Sequence, residues 1–266
     1  MRTYKFWQKI QGTLIIDGRP KQASFLGGSN NSKFDAERSA RKRLEAVQRR
    51  IDGKEEEIEE YRVEIKEEVI TELDSKNVVT RNRYGALVLN SEQTMFIDID
   101  QPPFSLLNLF LFWKKKGTAK ERILDMIRKK AKNYPRLDFR VYETQKGVRV
   151  IVTGQDFDGA SKEAQNLMRQ FNSDHLYSLL CAKQECFRAR LTPKPYRMKC
   201  KTRKIVFPRD TIQENIEHDA WVAQYESHST RFATCKFLEN VGSASETRLV
   251  RYHDELTKAH SSLKLA

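Results

Sequence analysis

Two aspartates separated by one residue on a strand can share a divalent cation, and Met95-Phe96-Ile97-Asp98-Ile99-Asp100 has that spacing. Strand side chains alternate, so Asp98 and Asp100 project to one face about 7 Å apart along the backbone, while Ile97 and Ile99 project to the other. Hard carboxylate oxygens on a rigid strand suit Mg²⁺ or Mn²⁺, which can bridge nucleotide phosphates and stabilise charge developing in phosphoryl or nucleotidyl transfer. The same pair could instead cap the strand end beside Pro102-Pro103 or meet a lysine.

Cations gather on two later segments. Arg149 follows the turn Thr144-Gln145-Lys146-Gly147 at the start of an apolar strand, where it would meet a phosphate or pair with an aspartate. In Phe187-Arg188-Ala189-Arg190-Leu191-Thr192-Pro193-Lys194-Pro195-Tyr196-Arg197, Arg188 and Arg190 share a strand face and Lys194 and Arg197 extend the charge. Guanidinium forks hold phosphate in a bidentate geometry and Tyr196 can stack on a base, so this segment is the foremost nucleic-acid contact in the sequence. A solvated basic loop would read the same way.

The elements that must position these residues read as three regions. Residues 1–83 open with a hairpin (4–16 and 22–26) around Asp17-Gly18-Arg19-Pro20. The loop Gly27-Gly28-Ser29-Asn30-Asn31-Ser32 leads to a helix with Ala36, Ala40, Leu44, Val47 and Ile51 on one face and arginines on the other, and an acidic connector from Glu55 to Glu68 ends in a short strand and a short helix near Leu73. Residues 84–207 read as strand (86–90), strand (94–100), helix from Thr118, strand (139–143), strand (148–153), two helical stretches (160–171, 175–183) and strand (187–191). The connector Ser91-Glu92-Gln93 is short enough for a hairpin. Residues 208–266 read as helical, apart from an extended piece near 232–237. The expected fold is α+β: a central antiparallel RRM-like sheet with helices on one face and the other face open, an N-terminal hairpin-helix appendage and a C-terminal helical region.

Composition narrows the function. The 266 residues carry 49 Lys and Arg against 36 Asp and Glu, a formal net charge of +13, which favours a polyanion such as DNA or RNA. Four cysteines in a chain of this length form no disulfide framework, and the start lacks the pattern of a secretory signal, so the expected location is the cytoplasm. The apolar stretch 102–113 is shorter than a membrane span, which needs about 20 residues; it reads as core or docking surface. His175, Cys181, Cys186 and Cys200 match no familiar zinc spacing. Cys186 near Arg188 reads as a buried thiol before a reactive one, and Gly27 to Lys33 lacks P-loop spacing.

The strand ending in Asp98-Ile99-Asp100, the Gly-turn strand and Arg190-Leu191-Thr192-Pro193, taken in order, resemble the motif order of the archaeo-eukaryotic primase (primase-polymerase) superfamily over about the central 110 residues. The resemblance implies an RRM-like catalytic palm in which Asp98 and Asp100 hold Mg²⁺ or Mn²⁺ and the arginine strand contacts nucleotide phosphates or template. It departs in two places: Arg149 stands where that family presents a histidine, and the third metal-binding acid has only Asp156, Asp158 or Glu185 as substitutes. The leading expectation is a metal-dependent nucleotidyltransferase acting with nucleic acid, with Asp98 and Asp100 catalytic and Arg149, Arg188, Arg190, Lys194, Tyr196 and Arg197 binding nucleotide or nucleic acid. A non-catalytic DNA- or RNA-binding regulator on a degenerate palm is the alternative. A protein-interaction scaffold using 55–68 and 104–113 is a third reading.

Overall fold

The structure, a computed structural model, describes residues 1–54, 63–101, 117–203, 207–243 and 246–266. It is an α+β fold, with six helices and twelve strands among the described residues. The chain opens with β1 (Phe6–Ile16) and β2 (Arg19–Ser29), joined by Asp17-Gly18, both at positive φ, as a two-residue hairpin turn requires. Helix α1 (Lys33–Ile51), capped by the Ser32 side chain on the Asp35 N–H, packs along the hairpin. The glycines expected in a loop lie inside β2. A Cβ on Gly27 would stand 2.1 Å from the Ala36 carbonyl oxygen, so Gly27 permits close helix–strand packing, while Gly28 makes room for the Tyr4 ring.

Two four-stranded antiparallel sheets follow. The first, in the order β3-β4-β5-β9, uses β3 (Glu68–Asp74), β4 (Asn77–Arg81), β5 (Leu87–Ser91) and β9 (Phe187–Arg190). The second, in the order β11-β7-β8-β6, uses β6 (Met95–Asp100), β7 (Asp138–Thr144), β8 (Gly147–Thr153) and β11 (Cys235–Val241). The segment near Leu73, expected to be helical, is β3, and the β-branched run Asn77-Val78-Val79-Thr80-Arg81 is a buried strand beside it. The expected β5–β6 hairpin does not form: β5 pairs with β4 and β9, whereas β6 pairs with β8. Both sheets cross the expected region boundaries, because β3 and β4 join the central strands from the N-terminal side and β11 joins them from the C-terminal side.

The sheets meet at a seam where β6 lies near β9 without a ladder. Helix α4 (His175–Gln184) fills it. The Tyr177 hydroxyl donates to the Phe96 carbonyl at 3.0 Å and accepts from the Arg188 N–H at 3.3 Å, and the Asp174 N–H donates to the Asp98 carbonyl at 3.0 Å. These bonds satisfy edge groups that would otherwise be buried unpaired.

Cross-strand pairing defines the faces of the second sheet. Met95, Ile97, Ile99, Val148, Val150, Val152, Phe139 and Val141 share one face. It is covered by α2 (Ala119–Ala131), whose Thr118–Glu121 capping box sets its start, and by α3 (Lys162–Gln170) with Phe171 stacked on Phe139. The opposite face carries Phe96, Asp98, Asp100, Arg149, Ile151, Arg140 and Tyr142. It was expected to be open, but α6 (Arg248–Thr257) covers part of it: His253 stacks on Phe96 and meets Tyr142 edge-on. Asp254 anchors that helix to Tyr142 and Arg140. Burial would raise its carboxyl, but hydrogen bonds from His253, Tyr142 and Arg140 bring it down to about 2. The remaining helix, α5 (Ile212–Ser229), and the short parallel pair β10 (Phe232–Ala233) and β12 (Lys264–Leu265) complete the C-terminal region. No helix among the described residues is long and apolar enough to cross a membrane. The stretches 102–116 and 55–62, which include most of the surfaces considered for partner binding, lie outside the described residues.

Tyr177→Phe removes the hydroxyl that bridges the seam and leaves a buried carbonyl and a buried N–H unpaired. The expected cost is about 1–3 kcal/mol, read as a lower urea midpoint with an unchanged slope.

Candidate functional site

The Asp98 end of the second sheet stays open as a cleft of about 360 Å³, lined by Asp98, Asp100, Lys146, Arg149, Asp174, Tyr177, Arg190, Lys194 and Arg197 among others. Each side chain is placed by a different element. Asp98 and Asp100 come from the end of β6, with Asp98 directly across from Arg149 on β8. Gly147 lets the strands meet there, since a Cβ would lie 2.0 Å from the Ile99 carbonyl oxygen. Asp174 is the N-cap of α4 and accepts from the Tyr177 N–H.

Arg190 ends β9, and the chain beyond it is held from several sides. Leu87 N–H donates to the Thr192 hydroxyl at 2.8 Å, the Tyr225 hydroxyl donates to the Pro193 carbonyl at 2.7 Å, and the Thr234 hydroxyl donates to the Leu191 carbonyl at 2.9 Å. A short 3₁₀ turn over Pro195–Met198 then brings Arg197 back to the cleft.

Arg149 is the floor of the site. Only 2% exposed, it directs Nε to Asp98 Oδ1 at 2.8 Å and Nη2 to Oδ2 at 3.1 Å, while Nη1 donates to the Arg190 carbonyl at 2.8 Å. Burial opposes its charge, but the Asp98 carboxylate more than compensates and raises its pKa. Burial would likewise raise the Asp98 carboxyl, and the charge and hydrogen bonds of Arg149 hold it below the usual carboxylate range instead.

The other cations of the cleft form no salt bridge among the described residues. Arg190 Nε and Arg197 Nε are buried with no hydrogen-bond partner among the described residues. Burial and the charge of Arg149 lower the Arg190 pKa, and burial and Arg190 lower that of Lys194. Five cations and three carboxylates line the cleft, and Arg149 and Asp98 cancel each other. What remains is a half-desolvated cluster of guanidinium and ammonium groups with positive excess, which an anion such as phosphate would relieve.

The structure therefore brings Asp98, Asp100, Arg149, Arg190, Lys194 and Arg197 together. It does not bring Arg188, which turns to Glu67 just before β3, to Asn90 Oδ1 on β5 at 2.7 Å and to Gln184 at the end of α4. Tyr196 is 56% exposed next to Arg197, outside the cleft lining. Asp156, Asp158 and Glu185 do not line the cleft either. The third carboxylate is Asp174, whose only sequence signal is its position before a helix, and Lys146 was visible only as a turn residue. Cys181 and Cys186 are buried, which pushes their thiols up to about 12 and about 11.

A divalent ion asks for carboxylate oxygens at about 2.0–2.1 Å with their lone pairs available. Here the Arg149 fork occupies both oxygens of Asp98 and neutralises its charge, and one oxygen of Asp174 caps α4, leaving Asp100 as the acid without a partner among the described residues. As arranged, these residues do not fit a two-aspartate metal site. No group of three or more His, Cys, Asp or Glu is gathered for a metal among the described residues. No family model, curated protein or solved structure matches the chain.

Asp98→Asn strips the buried Arg149 of its counter-charge. Because Asp98 is 35% exposed, the expected loss is about 3 kcal/mol, the low end for a broken buried pair. The carboxyl is depressed in the folded chain, so its contribution is full above an unfolded value of about 4 and fades as pH falls through the folded value. Urea unfolding against pH should show the wild-type advantage over the variant shrinking in acid. A neutral effect at pH 7 would mean that Asp98 is not the counterion of Arg149.

Proposed function

We propose that this chain binds nucleic acid, DNA or RNA, by taking backbone phosphates into the cleft, and that it does so without chemistry at the phosphate. Arg190, Lys194 and Arg197 are the phosphate contacts, with Lys146 at the rim. Tyr196, exposed beside Arg197, offers a ring on which a base stacks. Arg149 and Asp98 form the rigid floor that aims Arg190. The observation that carries this reading is the pair of buried guanidinium nitrogens, on Arg190 and Arg197, that lack partners in a cleft of positive excess.

A second reading keeps one supporting observation. Asp98, Asp100 and Asp174 line the same cleft, as a metal-dependent nucleotidyltransferase of the primase-polymerase kind would ask, though Arg149 would first have to release Asp98.

Fluorescence anisotropy with a single-stranded oligonucleotide of about 12 nucleotides distinguishes the two. The triple variant Arg190→Gln, Lys194→Gln, Arg197→Gln should bind at least about tenfold more weakly near 0.1 M salt. Its dependence of log affinity on log salt should be shallower by about 2, the loss of three single-strand phosphate contacts. Lys42→Gln on the exposed face of α1 serves as the charge-matched control for one substitution. A triple variant with the wild-type salt slope would overturn the cleft as the binding site. Mg²⁺- or Mn²⁺-dependent nucleotide binding that disappears in Asp98→Ala with Asp100→Ala would instead establish the second reading.

A further inference from the structure

The N-terminal ββα unit carries a surface the cleft does not use. Along the hairpin, Gly12 and Gly27 turn toward α1: a Cβ on Gly12 would meet Leu44, and one on Gly27 would meet Ala36 and Ala40. The residues between them in the alternation therefore project from the opposite face. The pairs Lys9–Leu26, Gln11–Ser24, Thr13–Gln22 and Ile15–Pro20 stand on it. Among the described residues only its root is covered, where Trp7 packs edge-on against Tyr4 and Phe207 and Lys9 pairs with Asp210.

Beyond the root the middle of this face is polar and exposed, and Ile15 and Pro20 stand exposed at its outer end. Gln11, Thr13, Gln22 and Ser24 form its middle, with Gln22 Nε2 donating to the Thr13 hydroxyl at 2.8 Å and the Ser24 hydroxyl donating to Gln11 Oε1 at 3.0 Å. Those bonds leave the Gln11 amide N–H groups and the Gln22 carbonyl oxygen without a partner among the described residues. A face this polar has no hydrophobic reason to pack on a protein core. The unit as a whole is basic, which favours an anionic partner: residues 1–54 hold thirteen Lys and Arg against five Asp and Glu, eight of the thirteen from Lys33 to Lys54 on and just after α1, behind this face.

From this we infer that the hairpin is a second nucleic-acid site, distinct from the cleft, and that its ligand is double-stranded DNA read in the major groove. An antiparallel two-stranded ribbon fits that groove, which is about 12 Å wide. Gln, Thr and Ser side chains match the donors and acceptors on its base edges. Strands of eleven residues are each about 37 Å long, enough to carry the ribbon across the groove and leave its tip beside a backbone. Arg19 and Lys21, exposed near the tip and paired with Ile16 and Leu14 on the α1 side of the ribbon, can reach that backbone from behind the reading face. The deep, narrow major groove of duplex RNA excludes such a ribbon.

The test compares three probes with the full chain: a DNA duplex of about 20 base pairs, two helical turns, the RNA duplex of the same sequence, and the corresponding single strand. Gln11→Ala with Gln22→Ala changes no charge, and both sites are exposed, so circular dichroism should match wild type. Its affinity for duplex DNA should fall about tenfold or more with an unchanged salt slope, and its single-strand affinity should not change. Arg19→Gln with Lys21→Gln should lower the duplex salt slope by about 2. Wild-type duplex affinity in the glutamine variant, or equal binding of DNA and RNA duplexes, would overturn the inference. The cleft variants should leave the duplex response to the glutamine substitutions intact, so failure at one site is separable from failure at the other.

Discussion

A guanidinium with 2% of its surface in water must have an opposite charge beside it, because desolvating an isolated cation costs several kcal/mol. Arg149 meets that demand with Asp98, directly across the β6–β8 ladder, and with the carbonyl of Arg190 at the end of β9. One side chain thus fixes the register of two strands and the position of a third from the other sheet. It also determines what the cleft can hold: with Asp98 committed to Arg149, the uncommitted charges that line it are four cations against Asp100 and Asp174.

The same tether crosses the seam. β6 and β9 form no ladder with each other, and the bonds from Arg149 to the Arg190 carbonyl and from the Asp174 N–H to the Asp98 carbonyl link the elements there. Tyr177 takes over the missing ladder bond with one hydroxyl, acting as donor to one sheet and acceptor from the other. The C-terminal region then seals what remains. Asp254 fastens α6 across Tyr142 and Arg140, and Tyr225 on α5 holds the chain after Arg190, so two distant segments brace the second sheet and the segment that carries Lys194 and Arg197.

Charge is partitioned between two surfaces of different character. The cleft is concave and partly desolvated, with guanidinium groups at fixed positions. The outer face of the hairpin is exposed, and its middle carries uncharged amides and hydroxyls, with Lys9 at the root and Arg19 and Lys21 near the tip on the α1 side. The first suits a phosphate that can enter a pocket, and the second suits the edge of a duplex that cannot.

Much of the fold was legible from local physics. Alternating apolar residues marked β6, β7, β8 and β9, the Thr118 capping box marked α2, Asp17-Gly18 marked the hairpin, and Asp98 and Asp100 were assigned to one face from strand geometry alone. The helix expected near Leu73 proved to be a strand, and β4 went unread, because a short β-branched run is a strand only once it has neighbours on both sides. Pairing partners were beyond reach for the same reason: Ser91-Glu92-Gln93 can close a hairpin or lead from one sheet to the next, and only packing selects. The sequence alone determined the residue types of the site, their faces and the sign of the field around them. Tertiary structure decided that Arg149 would spend its charge on Asp98, that Arg188 would turn to Glu67 and that Asp174 would join the cleft. Whether a charge meets a counter-charge depends on segments far apart in the chain arriving within 3 to 4 Å, and no spacing along the sequence encodes that distance.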